Sequence, residues 1–156
     1  MRREEGRLAG KMVAPGTAGY SGTPLARKLG LVRGQTAALL GVPETVGDIH
    51  GFDGFASVAF ALPETPRRAF DYVHLFVTVR EVLDAVAPTI FGVLKPDGML
   101  WISWPKRSSR VPTDVTEGVL REILLPTGLV DVKVCAIDEI WSGLKFVIRK
   151  ELRGAL

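Results

Sequence analysis

Phe70-Asp-Tyr-Val-His-Leu-Phe-Val77, then Arg80 to Leu94, then Lys95-Pro-Asp-Gly98, then Met99-Leu-Trp-Ile-Ser-Trp104 is the run of sequence that decides the fold. The first and last pieces are apolar at both alternating sets of positions, the pattern of strands covered on both faces. Between them, Val82, Leu83, Val86, Ile90 and Leu94 recur at helical spacing and predict a helix with one buried stripe. Thr78 stands where it would cap that helix. Pro88 removes a bond to the carbonyl of Asp84, which predicts a kink or a split into two helices. Pro96-Asp97-Gly98 is turn chemistry. Two buried strands joined by a helical crossover are expected to be parallel, with a right-handed connection.

Outward from this βαβ unit the chain holds material for one domain. Its 156 residues, 47% hydrophobic and 24% charged, match an ordinary globular protein. No apolar run is long enough to span a membrane, and Met-Arg-Arg-Glu-Glu-Gly-Arg at the start is not followed by the apolar segment of a signal peptide. The lone Cys135 excludes an internal disulfide and fits a cytoplasmic location. The net charge of +3 is uneven: seven basic and two acidic residues up to Arg33 give +5, and 13 basic and 15 acidic from Gly34 onward give −2. Residues 1–19 have no periodicity and read as a flexible N-terminal extension, ahead of a single domain over 20–152. Without interleaved aromatics, that basic head is not the pattern of a nucleic-acid arm.

On the N-terminal side, Thr23 and Pro24 read as the cap and first position of a two-turn helix closed by Gly30. Ser21, Gly22 and Thr23 at its start are candidates for holding an anion. A strand is expected over Thr36 to Val42, a weak helix over Glu44 to Ile49, and a short strand over Ser57 to Leu62. The link Pro63 to Ala69 is short for a helical crossover, since fully extended it spans about 23 Å, barely one strand length. Either the Ser57 strand is antiparallel, or a bare loop replaces a missing helix and strand. On the C-terminal side, Thr113 would cap a helix from Asp114 to about Leu125, with Glu117 and Arg121 paired at i, i+4. Val130 to Ala136 and Ser142 to Arg149 alternate and read as a hairpin.

The order strand, helix, Lys-Pro-Asp-Gly, strand, helix, hairpin over residues 70 to 150 resembles the second half of class I S-adenosylmethionine-dependent methyltransferases, with Leu94-Lys-Pro-Asp-Gly-Met-Leu100 similar to the turn before their fifth strand. Gly19-Tyr-Ser-Gly-Thr-Pro-Leu-Ala26, Leu100-Trp-Ile-Ser-Trp-Pro-Lys106, Val111-Pro-Thr-Asp114 and Val130-Asp-Val-Lys-Val-Cys-Ala136 also resemble a small bacterial family of unknown function. The resemblance implies a Rossmann-like three-layer α/β sandwich, its mostly parallel sheet ending in an antiparallel hairpin. It makes S-adenosylmethionine a cofactor to consider. The sequence departs from the methyltransferase pattern where that cofactor sits: Gly41-Val-Pro-Glu-Thr-Val-Gly47 stands in place of a Gly-x-Gly-x-Gly loop, Glu64 is a poor match for the ribose-binding acid, and the third strand is missing.

In open α/β sheets, ligands bind at the carboxyl ends of the parallel strands. This rule selects Pro43-Glu44, then Thr78 to Arg80, then Trp104 to Arg110 with the cations Lys106, Arg107 and Arg110, and Trp141 reaching the same rim. The three cations suit a phosphate or carboxylate. His74 reads as a hydrogen-bonded core residue and Cys135 as packing, and the scattered His and Cys have no metal-ligand spacing. No catalytic set is visible. The expected function is a non-catalytic, ligand-sensing or protein-interaction module. The alternatives are a methyltransferase with an atypical cofactor loop and a binder of a phosphorylated metabolite. A small anionic ligand is the expected partner, with a homodimer through a sheet edge left open.

Overall fold

The computed structural model describes residues 23–156; the extension expected over 1–19, and Ser21 and Gly22, lie outside them. Six strands form one sheet: β1 (Thr36–Leu40), β2 (Ser57–Ala59), β3 (Phe70–Phe76), β4 (Leu94–Pro105), β5 (Leu129–Ala136) and β6 (Trp141–Ile148), in the order β2-β1-β3-β4-β6-β5. β1 is parallel to both β2 and β3, and β3 is parallel to β4. β6 runs antiparallel to β4 and to β5, closing the sheet with the expected hairpin. The strand at Ser57 is therefore parallel, and its return to β3 is the bare loop from Phe60 to Ala69. That route is open because β2 has only three residues, so the chain has a short distance to travel back.

Helices cover both faces. On one, α3 (Arg80–Val93) and α4 (Glu117–Leu124) bury Leu83, Ala87, Ile90, Leu120, Ile123 and Leu124 against Val73, Leu75, Leu100, Ile102, Leu144 and Phe146. On the other, the single turns α1 (Leu25–Lys28) and α2 (Gly47–His50) lie beside a core of Leu29, Leu31, Val46, Ile49, Ala37, Leu39, Tyr72, Phe76 and Trp101. The predicted three-layer α/β sandwich is thus present. A further turn, α5 (Lys150–Arg153), follows β6.

Several local expectations are corrected. Of the kink or split expected at Pro88, the split is absent: α3 is one helix containing Pro88, its buried stripe packing along the whole length while Pro88 faces outward, so packing outweighs one lost backbone bond. Its stripe is Leu83, Ala87, Ile90 and Val93, and Val82 is exposed. Thr78 does not cap it, and Thr113 and Asp114 do not begin α4, whose cap is Thr116, the hydroxyl accepting from Val119 N–H at 3.2 Å. α1 is one turn instead of two, with Pro24 in the cap position and no side-chain cap, so Thr23 stands a residue too early. Gly30 does end it, at φ 77°. Lys95 to Gly98 is a bulge within β4: Phe70 pairs with Leu94 and Tyr72 with Met99. Gly98 is required there, because a Cβ would lie 2.8 Å from the Phe70 carbonyl oxygen.

Candidate functional site

The sheet's switch point lies between β1 and β3, because the chain leaves β1 toward β2 on one side and returns to β3 on the other. Such points open a crevice at the strands' carboxyl ends. β1 ends at Gly41, whose φ of 70° suits glycine and whose Cβ position is 3.1 Å from the Phe76 carbonyl oxygen. Glu44 is exposed on the loop that follows, and Glu64 is exposed on the loop after β2. Trp141 is half-buried on the α1 side, its ring edge-on to Phe76 with centroids 5.1 Å apart.

The next strand end, that of β4, carries an open cleft of about 480 Å3 on the α4 side. Trp104, Arg107 and Arg110 line it, together with Val111 and, from the approach to α4, Thr113, Thr116 and Glu117. Three of the residues selected from sequence are brought together here. Lys106 is not among the lining residues; its backbone N–H donates to the Ile140 carbonyl at 2.7 Å and ties the loop to the β5–β6 turn. Glu44 is not part of this cleft, and Trp141 lies on the opposite face of the sheet. Thr116 and Glu117 were not selected from sequence. In sequence they read as positions in the first turn of the helix expected from Asp114, with Glu117 paired to Arg121, which says nothing of which strand end that helix approaches.

The basic loop is built rigidly. Arg107–Ser109 form one 3-10 turn, the Ser109 hydroxyl donates to the Lys106 carbonyl at 2.7 Å, and Val111 N–H donates back to Ser109 Oγ at 3.2 Å. This closure leaves Arg110 at φ 64°, the one left-handed non-glycine among the described residues. That conformation costs roughly 1–2 kcal/mol for an L-residue. Neither the Arg107 nor the Arg110 guanidinium has a hydrogen bond or ion pair with a described residue, whereas Glu117 across the cleft is paired with Arg121 at 2.6 Å, a guanidinium it shares with Asp131 at 3.1 Å.

A hydrogen-bonded chain of titratable side chains lies elsewhere, inside the α1-side core. The Tyr72 hydroxyl shares a hydrogen bond with His74 Nδ1 at 2.9 Å, and His74 Nε2 shares one with Ser103 Oγ at 2.7 Å. All three are fully buried. Burial pushes the His74 imidazole down to about 3, so it is neutral, and pushes the Tyr72 phenol well above its usual range. His74 is the hydrogen-bonded core residue expected. Trp101 N–H donates to the Leu29 carbonyl at 2.9 Å beneath α1. Cys135 is 5% exposed, its thiol raised by burial. Among the described residues no group of three or more His, Cys, Asp or Glu is placed to hold a metal, and no helix is long and apolar enough to cross a membrane.

No protein-family model matches this sequence, and no curated protein does. Solved structures do share its shape. A SAM-dependent methyltransferase from Aquifex aeolicus is 17% identical, with 78% of this chain and 86% of that one covered and a TM-score of 0.57. The 1,6-didemethyltoxoflavin-N1-methyltransferase of Burkholderia thailandensis, solved with 1,6-didemethyltoxoflavin and S-adenosylhomocysteine, is 16% identical over 80% of this chain and 74% of its own, with a TM-score of 0.58. A ribosomal protein L11 methylase from Lactobacillus delbrueckii subsp. bulgaricus is 16% identical over 80% and 75%, with a TM-score of 0.52. At such identities the likeness is one of architecture, and this chain has the Rossmann-like fold of the class I methyltransferases.

Proposed function

We propose that this chain is a methyltransferase-like domain that senses a small anionic ligand and does not itself catalyse a reaction. One observation carries the reading: the cleft's cations and the buried Tyr72–His74–Ser103 chain are on opposite sides of the sheet, and the one carboxylate beside those cations, Glu117, is held by Arg121. The cleft at the end of β4 offers Arg107 and Arg110 without partners among the described residues, while Tyr72, His74 and Cys135 are buried in the α1-side core. A general base must reach the proton it removes. Arg107 and Arg110 beside the cleft instead suit binding of negative charge.

A second reading is an S-adenosylmethionine-dependent methyltransferase with an atypical cofactor loop. It is favoured by the switch point between β1 and β3 and by the fold shared with enzymes of that chemistry. The residues at that point are a poor cradle for the cofactor. Gly41 is turned against the Phe76 carbonyl, Pro43 lacks an N–H, and Gly47 opens a helix of only four residues.

Thermal unfolding with S-adenosylhomocysteine, inorganic phosphate and a nucleotide separates the two. A specific ligand at about a hundred times its Kd adds roughly 2.7 kcal/mol, a rise of roughly 5–10 °C for a chain of this size. A rise with phosphate or nucleotide, and none with S-adenosylhomocysteine, is the expected result. A rise with S-adenosylhomocysteine alone selects the second reading.

A further inference from the structure

We propose that the cleft at the carboxyl end of β4 is a binding site for a phosphomonoester, its phosphate held between Arg107 and Arg110. The assignment rests on the ligand-sensing reading above and names the class of ligand.

The charge balance points to a dianion. Two guanidinium groups line the cleft with no counter-charge of their own among the described residues, and the one carboxylate lining it, Glu117, is paired with Arg121 at 2.6 Å, which also holds Asp131 at 3.1 Å. A phosphomonoester carries about −1.5 to −2 at neutral pH and presents three acceptor oxygens to the two guanidinium groups, where a carboxylate presents two and a single charge. Guanidinium forks also match phosphate oxygens in geometry. Unpaired exposed arginines occur elsewhere on this chain. These two differ in lying on one cleft, at the end of a central parallel strand, on a loop closed by its own hydrogen bonds.

A third donor is available. Thr116 Oγ1 accepts from Val119 N–H at 3.2 Å, which leaves the hydroxyl proton free to donate into the cleft. Thr113 is used differently, its hydroxyl donating to the Thr78 carbonyl at 2.6 Å and anchoring that wall. The volume of about 480 Å3 falls within the range of small-molecule pockets, roughly 300–1,000 Å3, so there is room for an organic group beyond the phosphate. Trp104 and Val111 supply an apolar lining for it.

The left-handed Arg110 makes a clean test. Arg110→Gly removes the guanidinium while suiting φ 64°, so loss of binding is not confounded by misfolding. Titration calorimetry at about pH 7.5 would use ribose 5-phosphate, adenosine 5′-monophosphate and phenyl phosphate, with inorganic phosphate, adenosine and S-adenosylhomocysteine as comparators. At least one ester is expected to bind, more tightly than inorganic phosphate, while adenosine does not. Arg110→Gly and Arg107→Gln are each expected to weaken that ester by roughly tenfold or more, with the free Arg110→Gly protein melting no lower than the parent. Ester binding unchanged in both variants would overturn the assignment. Binding of S-adenosylhomocysteine with none of the esters would overturn it in favour of the methyltransferase reading. Binding of inorganic phosphate alone would overturn the ester and leave the anion-sensing reading standing, and silence from every probe would overturn both.

Discussion

Asp114 Oδ1 accepts the backbone N–H of Arg80 at 2.7 Å. The loop after β4 thereby satisfies the first turn of the helix that follows β3. The Thr113 hydroxyl and Asp114 N–H both donate to the Thr78 carbonyl, at 2.6 and 3.4 Å, so the wall of the cleft and the end of β3 are held as one piece. The contact spans 34 residues of sequence and replaces the local cap that Thr78 would have supplied.

Asp114→Ala should therefore destabilise the fold by about 1 kcal/mol, the typical worth of a helix-capping acceptor. Thr78→Ala should cost much less, because the Thr78 partner atom is its backbone carbonyl. Urea unfolding of the two variants checks this, and a larger loss from Thr78→Ala would contradict it.

His74 sets a pH dependence. Its pKa is about 3 in the folded chain, against an ordinary value near 6.5 when unfolded. The unfolded chain binds the extra proton below pH 6.5, so this residue's contribution is complete above that pH. It is lost as pH falls toward about 3, at about 1.4 kcal/mol per pH unit. In His74→Gln, stability between about pH 4 and 6 should fall less steeply on acidification than in the parent. Equal slopes would mean that His74 is protonated in the fold.

Gly143 is pressed from three sides. A Cβ there would meet Ile137 Cδ1 and Trp101 Cε3 at 3.2 Å and Ser103 Oγ at 3.3 Å, and Gly143 pairs directly with Ser103 across β4 and β6. Gly143→Ala should push on Ser103 and disturb its 2.7 Å bond to His74. Overpacking of this kind costs roughly 1–3 kcal/mol. A lower Tm with altered near-ultraviolet tryptophan signal is expected; an unchanged Tm would show that the sheet yields at this point.

Cys135 is nearly inaccessible, and burial raises its pKa further from the reactive thiolate form, with only partial relief from Lys28 and Lys133. A thiol reagent at about pH 8 should react slowly with the folded protein and rapidly in denaturant. Fast reaction without denaturant would place the thiol at the surface.

Phe70 to Trp104 was legible as a βαβ unit because its strands are apolar at both parities and its helix carries one stripe. These are local patterns that survive without knowledge of the partner surface. The hairpin at β5 and β6 was legible from its alternation for the same reason. The local caps were not: Thr78, Thr113 and Thr23 each look like caps, since a short polar side chain before an apolar run always does. Which one bonds a helix depends on where the neighbouring strand end arrives.

The sequence by itself determined the layered α/β class, the parallel pair at the centre, the C-terminal hairpin and the basic loop after β4. Each follows from the period of its own side chains or from residues adjacent in the chain. Tertiary structure alone decided that β2 runs parallel with a bare loop behind it, that Tyr72, His74 and Ser103 form one buried chain, and that Arg107 and Arg110 share a cleft with Thr116 while Trp141 faces away. The physical reason is that these depend on strand register and on the approach of α4 to β4. Both are set by burying apolar surface between segments far apart in sequence, and no local period records them.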